Sequence, residues 1–102
     1  MKLLSVVPVT LGRPDLGTLL EEAERGLRGS STTFVRRKKR HWVHVRYSGW
    51  ITWDVSKSSL LTAQIHSKKP DSEWQLLQAF IGYLNRHLGK HIDSITILFY
   101  PD

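Results

Sequence analysis

His41-Trp42-Val43-His44-Val45-Arg46-Tyr47-Ser48-Gly49-Trp50-Ile51-Thr52-Trp53-Asp54-Val55 is the stretch on which the fold turns. Alternating side chains on both sides of a Ser-Gly pair read as two strands joined by a turn, and the length of that turn decides which residues share a face. A two-residue loop would set Tyr47 opposite Trp50 and Val45 opposite Thr52, mixing polar and apolar side chains on both faces. A three-residue loop of Tyr47, Ser48 and Gly49, with Gly49 left-handed in a G1 bulge, pairs Arg46 with Trp50, Val45 with Ile51 and Val43 with Trp53. The faces then separate. Val43, Val45, Ile51, Trp53 and Val55 point to a core, while Trp42, His44, Arg46, Trp50, Thr52 and Asp54 point away from it.

Five consecutive cations, Arg36-Arg37-Lys38-Lys39-Arg40, lead into this hairpin. Thr33 to Val35 begins β structure. A continuous strand from Thr33 to Tyr47 would place Arg37, Lys39 and His41 on the face of Val43 and Val45, where unpaired charges cannot be buried. The chain must therefore break, bulge or overhang the sheet near residues 38–40, which puts the basic run at an exposed rim. Arg25 through Trp53 holds eight Lys or Arg residues and no Asp or Glu, so this third of the chain supplies most of the net charge of +6. The natural partner of such a field is a polyanion.

Outside this region the apolar spacing changes period several times. Lys2 to Val9 is β-like, and Pro8 removes a ladder donor there, which argues for an edge position or a bulge. Leu16, Leu19, Leu20, Ala23 and Leu27 fall at helical intervals. They predict an amphipathic helix over about 14–28, with Pro14 in its first turn, Glu21, Glu22 and Glu24 on the opposite face, a weak point at Gly17 and a stop at Gly29. Ser56 to Ser59 is a polar turn. Leu61, Ala63 and Ile65 give the inward positions of the next strand, with Thr62, Gln64 and His66 outward, and Lys68-Lys69-Pro70-Asp71 closes it. Ser72 and Gln75 form a capping-box pattern ahead of a helix over about 73–88 with Trp74, Leu77, Phe80, Ile81, Leu84 and Leu88 inward and a stop at Gly89. A last strand covers Ile92 to Tyr100 with Ile95, Ile97 and Phe99 on its inner side.

The 102 residues thus read as a single α+β domain, a two-layer sandwich of a mainly antiparallel sheet with two helices on one face. The order is β-α-β-β-β-β-α-β, related to ferredoxin-like topology with an extra hairpin. A 40 % hydrophobic content with no cysteine means a fold held by packing, without disulfides or thiolate metal sites, and it fits a reducing cytoplasm. Pro8 interrupts the opening apolar run, which reads as a buried strand and not a signal peptide. Nothing approaches the ~20 apolar residues of a membrane span.

No catalytic or cofactor signature is present, and neither a KH-type GxxG loop nor a zinc knuckle is found. The outward face combines Trp42, His44, Arg46 and Trp50 with the rim Arg36, Arg37, Lys38, Lys39 and Arg40. Aromatic planes for bases beside cations for phosphates suit a nucleic-acid-binding module of low sequence specificity. The alternative is a protein-interaction or homodimerising module that meets an acidic protein surface or a second copy. A further alternative is a small metal-independent ribonuclease with His44 and His66 as acid and base and Arg46 as the phosphate-stabilising cation. His41-x-x-His44 and the pair His87 and His91 lack acidic or thiolate companions, so no metal site is expected.

Overall fold

A computed structural model describes residues 1–9, 15–27, 34–56 and 60–99. The chain runs β1 (Lys2–Pro8), α1 (Leu16–Arg25), β2 (Phe34–Lys38), β3 (His41–His44), β4 (Trp50–Val55), β5 (Leu61–His66), α2 (Pro70–Leu88), a 3₁₀ turn (Gly89–His91) and β6 (Ile92–Phe99). The expectations for Pro14, Gly29, Thr33 and Tyr100 fall outside the described residues. All six strands form one sheet in the order β2-β3-β4-β5-β1-β6, with every neighbouring pair antiparallel. In that order β1 and β2 run the same way, as do β5 and β6, so each helix joins two non-adjacent strands of equal direction. The part β4-β5-β1-β6 is the ferredoxin-like arrangement and the β2–β3 hairpin extends it at one end, in agreement with the expected ferredoxin-related topology with an extra hairpin, while the strand order itself comes from the structure.

Both helices lie on one face, and the smallest extent of the molecule, 20 Å, is that of two layers. Leu4, Val6, Phe34, Ile51, Leu61, Ile65, Leu76, Leu77, Phe80 and Leu84 are buried in a single core between the layers. Gly17 weakens α1 as a helix former, but the packing needs it. A Cβ there would come within 2.5 Å of Val55 Cγ2, where the first turn of the helix, capped by Asp15, crosses β4. No helix among the described residues is long and apolar enough to cross a membrane.

The main departure from the sequence reading is the register of β3. It pairs Trp42 with Ile51 and His41 with Thr52, so the segment between the strands spans Val45 to Gly49 and not three residues. Gly49 is left-handed, with φ 116°, but it closes this longer loop. The shift turns β3 over. Trp42 is completely buried, Val43 moves to the open face, and Val45 and Arg46 become exposed loop residues. Burying one indole removes more apolar surface than burying Val43, and it requires a partner for the ring N–H. That partner is Glu24, whose Oε2 accepts from Trp42 Nε1 at 2.7 Å. Glu24 is therefore a buried residue of α1 and not part of its solvent face.

Four smaller corrections follow from packing. β1 is an interior strand between β5 and β6, and Pro8 is accommodated by a register shift between Val7 and Pro8, so the bulge is present and the edge position is not. The second helix starts earlier than the capping-box pattern suggests, with Lys69 as N-cap and Pro70 in the first turn, a position where proline has no donor to lose. Trp74 stands 43 % exposed instead of in the core. Phe99 is on the helix-facing side of β6 but is 65 % exposed, because no strand among the described residues lies beyond it.

Candidate nucleic-acid interface

The basic run is a bulged edge strand followed by a tight turn. Arg36 pairs with Trp42 and Lys38 with His41, so Arg37 is the extra residue of a bulge, and Lys39 and Arg40 make the turn. Arg40 holds a left-handed backbone with φ 61°, unusual for a residue with a Cβ. Several contacts hold it there. Its amide donates to Glu24 Oε2 at 2.9 Å, and its carbonyl accepts from the Trp53 amide at 3.1 Å. Its guanidinium meets Glu21 at 2.8 Å and Asp54 at 2.5 Å. The hydrogen bond from Arg40 lowers the Glu21 carboxyl below its ordinary range, against the opposing effect of burial.

Five cations in sequence are thus sorted by the bulge into two groups. Arg36, 3.3 Å from Glu24, and Arg40 are turned inward onto α1 and Asp54. Arg37, Lys38 and Lys39 are exposed.

The open face carries a groove of about 550 Å³ beside Arg37. His41 and Val43 of β3, Trp50 of β4, Ser48 and Gly49 of the loop, and the Lys68-Lys69 pair line it with Arg37. No carboxylate among the described residues lines it. The loop that closes the groove depends on Gly49, since a Cβ at that φ would run into the His66 carbonyl oxygen and crowd Ser67 and Leu76. That close approach seats the Val45–Gly49 loop against the end of β5 and brings Lys68 and Lys69 alongside Trp50. The loop is also held at its other end. The Arg46 amide donates to His44 Nδ1 at 3.0 Å, and the His44 ring stacks on Tyr47 at 4.6 Å between centroids.

Trp50 is 39 % exposed and stands between two imidazoles. His66, directly opposite it on β5, is nearly parallel at 4.9 Å, and His41, one step diagonal on β3, is nearly parallel at 6.4 Å. The His66 Nε2 also lies 3.2 Å from Gln64 Oε1. Burial, followed by the nearby charges of Lys38 and Arg37, lowers the pKa of His41, which therefore contributes a neutral ring at neutral pH.

Of the residues singled out from sequence, the structure places Arg37 and Trp50 at this groove, with Lys38 paired to His41 beside it, whereas Lys39 lies on the α1 side in a hollow it shares with Glu21, Glu24, Arg25 and Arg36. Trp42, Arg36 and Arg40 are engaged inside the protein, and Arg46 projects from the loop. His44 shares the helix-facing side of the sheet with Phe34, its ring 5.0 Å away, whereas His66 is on the open side. The two are therefore not an acid–base pair across one phosphodiester. Burial, then Arg46, lowers His44 as well. His41 and His44 also face opposite sides and share no ligand position. The sequence reading missed His41, Val43, Lys68 and Lys69. The lysines had a usable signal: Trp50 opposite His66 places residues just after β5 next to the indole.

No protein-family model, curated protein or solved structure matches this chain.

Proposed function

We propose that this chain is a small nucleic-acid-binding module that takes a single-stranded segment along the groove, with Trp50 meeting bases and Arg37, Lys38, Lys68 and Lys69 meeting phosphates. The observation that carries this reading is an exposed indole in a groove lined by cations and, among the described residues, by no carboxylate. Such a combination favours a polyanion that also offers flat apolar rings, and base stacking on an aromatic adds ~1–3 kcal/mol per base without regard to sequence. Backbone contacts and one stacking platform give low sequence specificity. A cysteine-free chain suits the reducing cytoplasm, where such a partner is found.

Fluorescence titration with a single-stranded oligonucleotide at several salt concentrations tests this. Saturable binding with a log–log salt slope of roughly −2 to −4 and quenched tryptophan emission is expected. Replacing Arg37 and Lys38 together by Gln reduces the magnitude of the slope by ~1.4, at about 0.7 per phosphate contact on a single strand. An absence of binding at low salt, or a slope untouched by the double variant, removes the groove as a nucleic-acid site.

A further inference from the structure

The two edges of the sheet are built differently. The β2 edge is bulged and carries Arg36, Arg37 and Lys38, the features by which sheets prevent unwanted strand addition. The β6 edge has one bulge, at Asp93 near its start, but it carries no Arg or Lys and pairs regularly with β1 from Ser94 to Phe99. It is the longest strand, Ile92–Phe99, with one charged residue, Asp93, no proline and no strand beyond it among the described residues. Exposed apolar side chains collect at the same edge. Of the seven large ones exposed among the described residues, Leu98 and Phe99 are on β6, Trp74 lies against Phe99 with ring centroids 6.3 Å apart, and Val9 is joined to the start of β6 through His91.

We propose that β6 pairs antiparallel with β6 of a second copy of this chain, making a continuous sheet across a twofold axis perpendicular to it. The strand is complementary to itself in one register. With helices of both copies on the same face, odd-numbered residues must oppose odd-numbered residues. Setting Ile97 opposite Ile97 puts each Phe99 opposite Ile95 of the other copy and each Leu98 opposite Thr96, so the helix-facing ladder is apolar from end to end. A two-residue slip that centres Thr96 would place Phe99 against Asp93, which that register avoids. The pairing covers Phe99 and satisfies an open row of backbone donors and acceptors.

Electrostatics does not oppose it. The basic rim is at the far end of the sheet, so the two rims of a dimer stand roughly 50 Å apart at ~4.8 Å per strand, well beyond a Debye length at physiological salt. This inference is independent of any nucleic-acid ligand.

Sedimentation equilibrium from micromolar to millimolar protein tests the pairing. The unmodified chain is expected to approach twice its 11.8 kDa mass. Phe99→Glu places a carboxylate beside Lys2, whose ammonium already sits 4.7 Å over the Phe99 ring, so the protomer is expected to keep its fold by circular dichroism. In the dimer that carboxylate would face Ile95, and self-association is expected to weaken at least ~10-fold. Leu98→Glu, on the opposite face of the same strand, is expected to do the same, whereas Trp50→Ala leaves the mass unchanged. A chain that stays monomeric throughout, a dimer that survives both β6 variants, or a dimer lost with Trp50→Ala overturns the proposal.

Discussion

Trp42 and Trp50 lie on neighbouring strands of one sheet and do opposite things. Trp42 is sealed beneath α1, its ring N–H held by a buried carboxylate, and its hairpin carries two arginines that answer the same helix. Trp50 faces outward between two imidazoles, with lysines and one arginine along its groove and no acid among the described residues that line that groove. The residue types are nearly the same in the two places, and the difference is Glu24. Where a carboxylate is present, cations and indole become part of the protein's own structure; where none is present, they remain available to something else.

Removing Glu24 breaks this contrast most severely. Glu24→Ala leaves the Trp42 ring N–H and the Arg40 amide without their acceptor and the Arg36 guanidinium without its ion-pair partner, and is expected to destabilise the fold by ~3 kcal/mol, a fall in Tm of more than about 10 °C for a domain of this size. Glu24→Gln retains an acceptor and is expected to cost less than half of that. Thermal unfolding of the two variants measures the share due to charge. Equal losses would mean that the ion pair with Arg36 matters more than the hydrogen bonds.

Trp50→Ala is expected to reverse the pattern, with Tm within a few degrees of the parent and oligonucleotide affinity reduced about tenfold. A large loss of stability instead would show that the stack with His41 and His66 holds the sheet together and that the indole serves the fold.

The smallest effect concerns pH. His41 and His44 are held below their ordinary value of 6.5, chiefly by burial. The unfolded chain therefore takes up protons first, and the stability these neutral rings contribute above pH 6.5 is lost as pH falls below it. In the groove the sign is opposite, because a protonated His41 adds a cation, so oligonucleotide affinity is expected to rise as pH falls through the same window. His41→Gln is expected to flatten that rise when binding is followed across the range, and an unchanged profile assigns it to other groups.

The outcome of reading the sequence follows from the range of the interactions that set each element. β4 and β5 are legible because their faces are fixed by local alternation, with Ile51 and Trp53 inward and Trp50, Thr52 and Gln64 outward, as observed. The bulge near Lys38 is legible because charges on an apolar face demand one. The orientation of β3 was not, because the alternation of His41 to Tyr47 is equally satisfied either way up. What selects the face is Glu24, on a different element, and an acid on an amphipathic helix looks like solvent-facing charge until its partner is known. Phe99 and Trp74 misled for the reverse reason: their spacing is that of core residues, but at this end of the sheet no further strand among the described residues covers them.

The central position of β1 sets the order in which the molecule can be completed. β2 to β5 form a meander of short-range pairings, but Lys2 is paired with Ile65 on one side and Phe99 on the other. During synthesis β1 must wait for β5 on one side and for β6 on the other, and the longer wait, at 5–20 residues per second, is roughly five to twenty seconds. Until β5 emerges an apolar strand is unpartnered on both sides, and until β6 emerges on one, so the growing chain depends on whatever shields it at the ribosome.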